Sequence, residues 1–235
     1  MACNREGADC FTPLGEPETR TVQLTEHINA IEIRDYIDVE WSPVPDSEGA
    51  RAIWSGGAGT LDGLDATVTD GTLVIQDLNS CRWVRSMEAV PTVRLAGWAC
   101  RELLLEGQGS FTMVDTLVGG DLDVEGNEMA GPVKLRFAGD TLKVRMPNGI
   151  GHVHIAGRAL RLRSFRSGFG DLDARALYAE SAMVNHAGVG EVHLRASQYL
   201  YLAMGGAGNA YLHNTPSDQV VQYLDGATGS VLTWP

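Results

Sequence analysis

The chain has 235 residues, 44% of them apolar and 20% charged, with 28 glycines and a formal net charge of −12 at pH 7. That length suits one compact domain or two small ones, and the acidic balance excludes bulk attraction to nucleic acid or to an anionic membrane. No apolar run approaches the roughly 18–20 residues that a membrane-crossing helix needs, and the chain shows no signal-peptide core of its own.

Residues 1–19 read as a polar tether. Cys3 and Cys10 both lie in it, and Asn4 to Asp9 offer nothing to pack against a core. Ala2-Cys3 followed by a polar stretch is similar to the start of a mature bacterial lipoprotein, so Cys3 is expected to be acylated and to anchor the protein. A free cysteine in a frayed tail is the competing reading. Cys10, Cys81 and Cys100 remain, and an oxidising compartment favours one disulfide among them. The expected pair is Cys10 with Cys81, because Cys100 closes the apolar run Leu95-Ala96-Gly97-Trp98-Ala99-Cys100, where a small buried thiol is ordinary.

Residues 20–105 read as an irregular β-rich first part. Alternation marks strands at Ile31-Glu32-Ile33, Ile37 to Trp41, Thr72 to Ile75 and Thr92 to Leu95, with a turn at Asp70-Gly71. This part is either the opening of a solenoid or a second short β-helix packed on it.

From residue 106 to 235 the sequence repeats. Gly109, Gly131, Gly151, Gly170, Gly190, Gly208 and Gly229 recur at intervals of 22, 20, 19, 20, 18 and 21 residues. Two positions after each comes Phe111, Val133, Val153, Leu172, Val192, Ala210 or Val231, and two further on Met113, Leu135, Ile155, Ala174, Leu194, Leu212 or Thr233. One face of a short strand therefore points inward in every unit. Between them run further alternating segments, such as Leu142-Lys143-Val144-Arg145 and Leu160-Arg161-Leu162-Arg163. About 20 residues is too short for a strand plus a crossover helix and suits one coil of a parallel β-helix, each strand pairing with its counterpart a turn later. The glycines then mark corners that need either a positive φ or a close backbone approach. The Trp98 region and Leu232-Thr233-Trp234 are candidate end caps.

The chain resembles the head GIN domain family of auto-transporter adhesins. The resemblance is carried by the Cys3 to Cys10 opening, Ile31 to Val39, Thr67 to Ile75, Ser80-Cys81-Arg82-Trp83-Val84-Arg85-Ser86 and the recurring Gly-x-Gly units such as Gly168-Phe169-Gly170-Asp171. It implies an all-β, right-handed parallel β-helix, export to the cell envelope with a lipid anchor, a role in adhesion, and no catalytic residues. The family's usual Ser-Gly-Ser-Gly-Asp unit keeps its second glycine here but loses the serines and most aspartates.

Stacked coils place equivalent residues about 5 Å apart, so outward columns are where sites would form. One column reads Thr112, Lys134, His154, Asp173, His193, Tyr211 and Leu232. Two imidazoles and a carboxylate suit zinc, but side chains from adjacent strands project in parallel, so no metal site is expected. Residues 134 to 166 hold eight basic residues with Asp140 as the only acid. Lys143 and Arg145 should lie beside Arg161 and Arg163, and like charges so placed invite an anion such as an acidic surface glycan or a lipopolysaccharide phosphate. The competing reading is a solvated ladder neutralised in part by Asp123 and Glu125. Dispersed carboxylates and the lack of a Gly-x-Ser-x-Gly or phosphate-binding loop leave no catalytic residue and no cofactor to name. The expected function is a non-enzymatic binding module that meets a glycan, lipopolysaccharide or envelope protein; a polysaccharide lyase or hydrolase on the same fold and a structural spacer are the alternatives.

Overall fold

The computed structural model describes residues 14–43, 49–79 and 90–234. Cys3, Cys10 and Cys81 lie outside the described residues. Strands β1 (Pro17–Gln23), β2 (Ala30–Ile33), β3 (Asp38–Ser42) and β4 (Arg51–Gly57) precede a single helical turn, α1 (Ala58–Leu61). Then come β5 (Leu64–Thr69), β6 (Thr72–Asp77), β7 (Thr92–Ala96), β8 (Glu102–Glu106), β9 (Phe111–Met113), β10 (Leu117–Val118) and β11 (Leu122–Asn127). Three long strands follow, β12 (Val133–Met146), β13 (Val153–Arg166) and β14 (Leu172–His186), and then β15 (Val192–Leu194), β16 (Ala196–Met204), β17 (Ala210–Leu212), β18 (Asp218–Tyr223) and β19 (Val231–Thr233).

The result is a β-solenoid of about seven parallel stacked coils. One side, here the first sheet, runs β3, β9, β12, β13, β14, β15, β17, β19 through parallel pairs. The second sheet runs β6, β2, β8, β11, β12, β13, β14, β16, β18, likewise parallel. The long strands belong to both sheets, because each bends round the corner between them. At the N-terminal end the pairing direction changes: β1 lies antiparallel on β4, β4 antiparallel on β7, and β5 antiparallel on β6 through the Asp70-Gly71 turn, both of whose φ values are positive. Antiparallel strands cover an edge that would otherwise offer unpaired backbone to another chain. Trp98 is half-buried against the core there.

Both interior columns are inward as the repeat predicts, with Phe111, Val133, Val153, Leu172, Val192 and Ala210 at 0% exposure. In the final coil the pattern opens: Val231 is partly buried and Thr233 is exposed, since no coil stacks on them among the described residues. Leu160 departs from its alternation and is 43% exposed, because the chain turns the corner at Ala159 and only Leu162 regains the interior. Cys100 is a buried free thiol, pushed up to about 12 by that burial.

The seven spaced glycines share one cause. None of them has a positive φ. A Cβ on Gly131 would collide with the carbonyl oxygen of Gly109, one on Gly151 with that of Gly131, and so on through Gly170, Gly190, Gly208 and Gly229, each against the glycine one coil below. A parallel ladder runs through Gly149, Gly168, Gly188 and Gly206. The polar residues beside these corners act on the same stacking. Asp171 Oδ1 accepts the backbone N–H of Glu191 at 2.7 Å, and Asn209 Oδ1 that of Ser230 at 2.9 Å.

Among the described residues the largest polar interruption of the interior is charged, and the buried Ser164 hydroxyl stands two residues from it between Val144 and Val184. Met146, Arg166, His186 and Met204 stack in register on the inner side of the second sheet, with Arg166 and His186 only 2% and 1% exposed. Arg166 Nη2 donates to the carbonyl of Gly151 at 3.2 Å, while its Nε and Nη1 lack partners among the described residues, and the buried His186 ring has only the backbone of Gly208 and Gly190 to offset its burial. Burial, and then the neighbouring guanidinium, lower the His186 pKa; burial takes Arg166 down to about 10.

Candidate ligand-binding faces

The four outward cations from which an anion-binding face was expected, Lys143, Arg145, Arg161 and Arg163, do not act alike. A coil of 20 residues sets Thr141 beside Arg161, Lys143 beside Arg163, and Arg145 beside Phe165, so Arg145 has no arginine across from it, contrary to the expectation from sequence. Lys143 Nζ pairs with Asp123 at 2.7 Å, and Arg145 Nη2 with Glu125 at 2.6 Å and Asp123 at 3.2 Å. The hydrogen bond to Glu125 is the main cause that raises the Arg145 pKa. Part-exposed pairs of this kind contribute only about 0–1 kcal/mol each, but they occupy both cations. Arg161, by contrast, donates only to the Thr141 hydroxyl at 3.2 Å. Neither Arg161 nor Arg163 has a carboxylate within ion-pair distance among the described residues, and both are exposed.

At the corner between the sheets a groove of about 660 Å³ runs along the solenoid axis. Its floor is a column of small residues, Gly139, Ala159 and Ala179, in direct register, which Ala196 continues on the next coil. One wall carries Arg158, Tyr178 and Arg195, the Arg195 guanidinium lying 4.5 Å from the centre of the exposed Tyr178 ring, a cation–π contact. The other carries Asp140, Leu160 and Glu180. Sequence reading missed this groove. Its signal was present, an alanine or glycine recurring at the coil period where larger residues would close the corner.

On the first sheet the outward column is the one expected: Thr112, Lys134, His154, Asp173, His193, Tyr211 and Leu232 are neighbours in register. Its members do not converge on one point. His154 Nδ1 lies 3.6 Å from Asp173, Asp173 is held by Arg175 at 2.6 Å, and His193 Nδ1 lies 3.0 Å from His213 Nε2. No cluster of three metal-ligating side chains forms among the described residues. The hydrogen bond from Arg175 takes the Asp173 carboxyl down to about 2. An unfolded aspartate titrates near 4, so the stability linked to this group is present above that pH and is lost as pH falls toward 2. In Arg175→Ala the Asp173 titration, followed by carboxyl carbon NMR, is expected to move up toward the ordinary range; an unmoved value would show that the guanidinium is not its cause.

Residues 27–216 match the family model described as "Putative auto-transporter adhesin, head GIN domain". No curated protein matches the sequence. Among solved structures, a "putative adhesin" from Bacteroides fragilis has a TM-score of 0.83 at 18% identity, covering 93% of this chain and 97% of its own. A "putative adhesin" from Parabacteroides merdae (TM-score 0.63, 15% identity, 95% and 98% covered) and a "putative lipid binding protein" from Parabacteroides distasonis (0.63, 19%, 94% and 98%) share the fold. No helix among the described residues is long and apolar enough to cross a membrane.

Proposed function

Because the chain belongs to the head GIN domain family of auto-transporter adhesins, we propose that it is an exported, non-enzymatic binding module of the cell envelope that retains acidic glycan through Arg161 and Arg163. Lys143 and Arg145 flank that face as ion-paired neighbours. In this reading residues 1–19 tether the protein through an acylated Cys3, Cys10 and Cys81 form a disulfide, residues 20–105 make the irregular first part and 106–235 the regular repeats. The observation that carries the binding role is that Arg161 and Arg163 are exposed cations without carboxylate partners among the described residues, on a sheet where the preceding coil's cations are neutralised. Two like charges so placed are relieved by an anion.

The rival of a carbohydrate-active enzyme has one observation in its favour, since Asp140 and Glu180 both line the corner groove. Both are exposed, without the apolar enclosure that sets a general acid apart from its partner carboxylate. An array of glycans and lipopolysaccharides, probed at low and physiological salt, tests the proposal. Wild type is expected to bind acidic glycans or phosphorylated lipopolysaccharide, less so as salt rises, and Arg161→Ala with Arg163→Ala should weaken binding at least tenfold. A blank array, or binding indifferent to the double variant, would retire this face and leave a spacer or a protein partner.

A further inference from the structure

We propose that the outer face of the first sheet is a second ligand-binding trough, which takes an acidic oligosaccharide lengthwise along the solenoid axis. Its anionic group would sit between Lys134 and Arg136, and one of its sugar rings against Tyr211 and Trp234. This site is separate from the Arg161 and Arg163 face and does not depend on it.

A hollow of about 540 Å³ lies on this face, lined by Lys134, Arg136, His154 and Arg175. It exists because Ala156 and Ala176, paired across β13 and β14, put methyl groups where their neighbours carry long side chains. Lys134 and Arg136 point to the same side of β12, two residues apart, and both are exposed. Among the described residues neither has a carboxylate within ion-pair distance, whereas Asp173, which lines the same hollow, is already held by Arg175 at 2.6 Å. The Thr112 hydroxyl and the His154 ring stand on either side of Lys134 in register. Two unneutralised cations with a hydroxyl and an imidazole at hand are suited to a carboxylate, sulfate or phosphate group.

The other end of the same face is aromatic. His193 and Tyr211 stack with ring centres 4.7 Å apart, and Trp234 meets Tyr211 edge-on at 5.7 Å and His213 at 5.4 Å. Trp234 is 47% exposed, and Glu191 braces the cluster by accepting from the Tyr211 hydroxyl at 3.2 Å. An exposed, braced aromatic presents an apolar face ringed by polar groups, which matches the mixed surface of a sugar ring. Strand spacing puts Tyr211 about 19 Å from Lys134 along the axis, the span of a short oligosaccharide rather than of a monosaccharide. Between them the half-exposed Arg175 side chain, which also holds Asp173, can meet ring hydroxyls.

Isothermal titration of the whole chain with hexagalacturonate, and with neutral maltohexaose as the uncharged control, tests this assignment. Wild type is expected to bind the acidic hexasaccharide at least tenfold more tightly than the neutral one. Lys134→Ala with Arg136→Ala should weaken acidic binding at least tenfold and flatten its salt dependence. Trp234→Ala should weaken it about fivefold with the salt dependence kept, and Trp234→Phe, which retains a ring, should bind nearly as wild type. Arg161→Ala with Arg163→Ala should remove any binding step of the second sheet's face and leave the affinity of the trough step within twofold of wild type. The proposal is overturned if wild type does not bind hexagalacturonate, or if the trough variants bind as wild type. Loss only in the Arg161 and Arg163 variant would place the glycan on the other sheet and leave the earlier proposal standing.

Discussion

Gly170→Ala is expected to destabilise the protein by on the order of 4 kcal/mol, at the upper end of single-substitution effects, or to leave it unfolded. The Cβ would have to occupy the position of the Gly151 carbonyl oxygen. Backbone of the coil below cannot yield as a flexible side chain would, so relief requires unstacking two coils and losing the parallel hydrogen bonds between them. Gly119→Ala is the matching control: that glycine has φ +78 with nothing within 4 Å of its missing Cβ, so only left-handed strain applies, about 1–2 kcal/mol. Urea denaturation of the two variants separates close approach from conformational strain. Equal costs for both would mean that the ladder tolerates a side chain and that the glycines serve turn geometry instead.

Arg166→Met should stabilise the fold by about 1–4 kcal/mol, the range seen when buried charged groups give way to apolar residues of similar size. The thioether would extend the column already formed by Met146 and Met204 and remove a guanidinium whose Nε and Nη1 have no partner among the described residues. Arg166→Ala is expected to behave oppositely, because it also leaves a cavity, at a cost of about 2–4 kcal/mol. The same substitution bears on acid sensitivity. His186 has its pKa lowered in the fold by burial first and Arg166 second. Below about pH 6.5, where a free histidine gains its proton, the unfolded chain takes up a proton that the folded one resists, so stability falls with pH. Without Arg166 that fall should be shallower but not abolished. Thermal melts from pH 8 to 5 read both effects, and a lower melting temperature for Arg166→Met at pH 8 would show that the guanidinium is satisfied in solution.

The coil period was legible because a solenoid repeats its environment. A residue that must be small at Gly151 must be small again one coil later, and Val133, Val153, Leu172 and Val192 meet the same interior in turn. The outward column from Thr112 to Leu232 followed from the same counting. Where coils differ in length, counting fails: one extra residue on β14 shifts its register against β13 between His154 and Ala156, the corner at Ala159 turns Leu160 outward, and only the structure shows the groove and the trough at these places. Arg166 keeps the inward phase of Leu162 and Ser164, but its charge made it count with the outward cations, since a guanidinium is rarely buried. On the second sheet, register rather than composition separated Lys143 and Arg145, paired with Asp123 and Glu125, from Arg161 and Arg163.

The first part of the chain shows most clearly what sequence cannot carry. Strands β2 and β3 precede β6 and β7 in the chain, yet in space they lie between β6 and β8 and between β7 and β9. Alternation marks each of these strands and is silent on the order in which they stack. By itself the sequence determined the all-β class, the coil length, the inward columns and the glycine corners, because these depend on local period and on side-chain size repeated along the chain. Tertiary structure alone decided which cations are neutralised, where small residues open a hollow and how the first coils interleave, because these depend on which side chains meet across strands far apart in sequence.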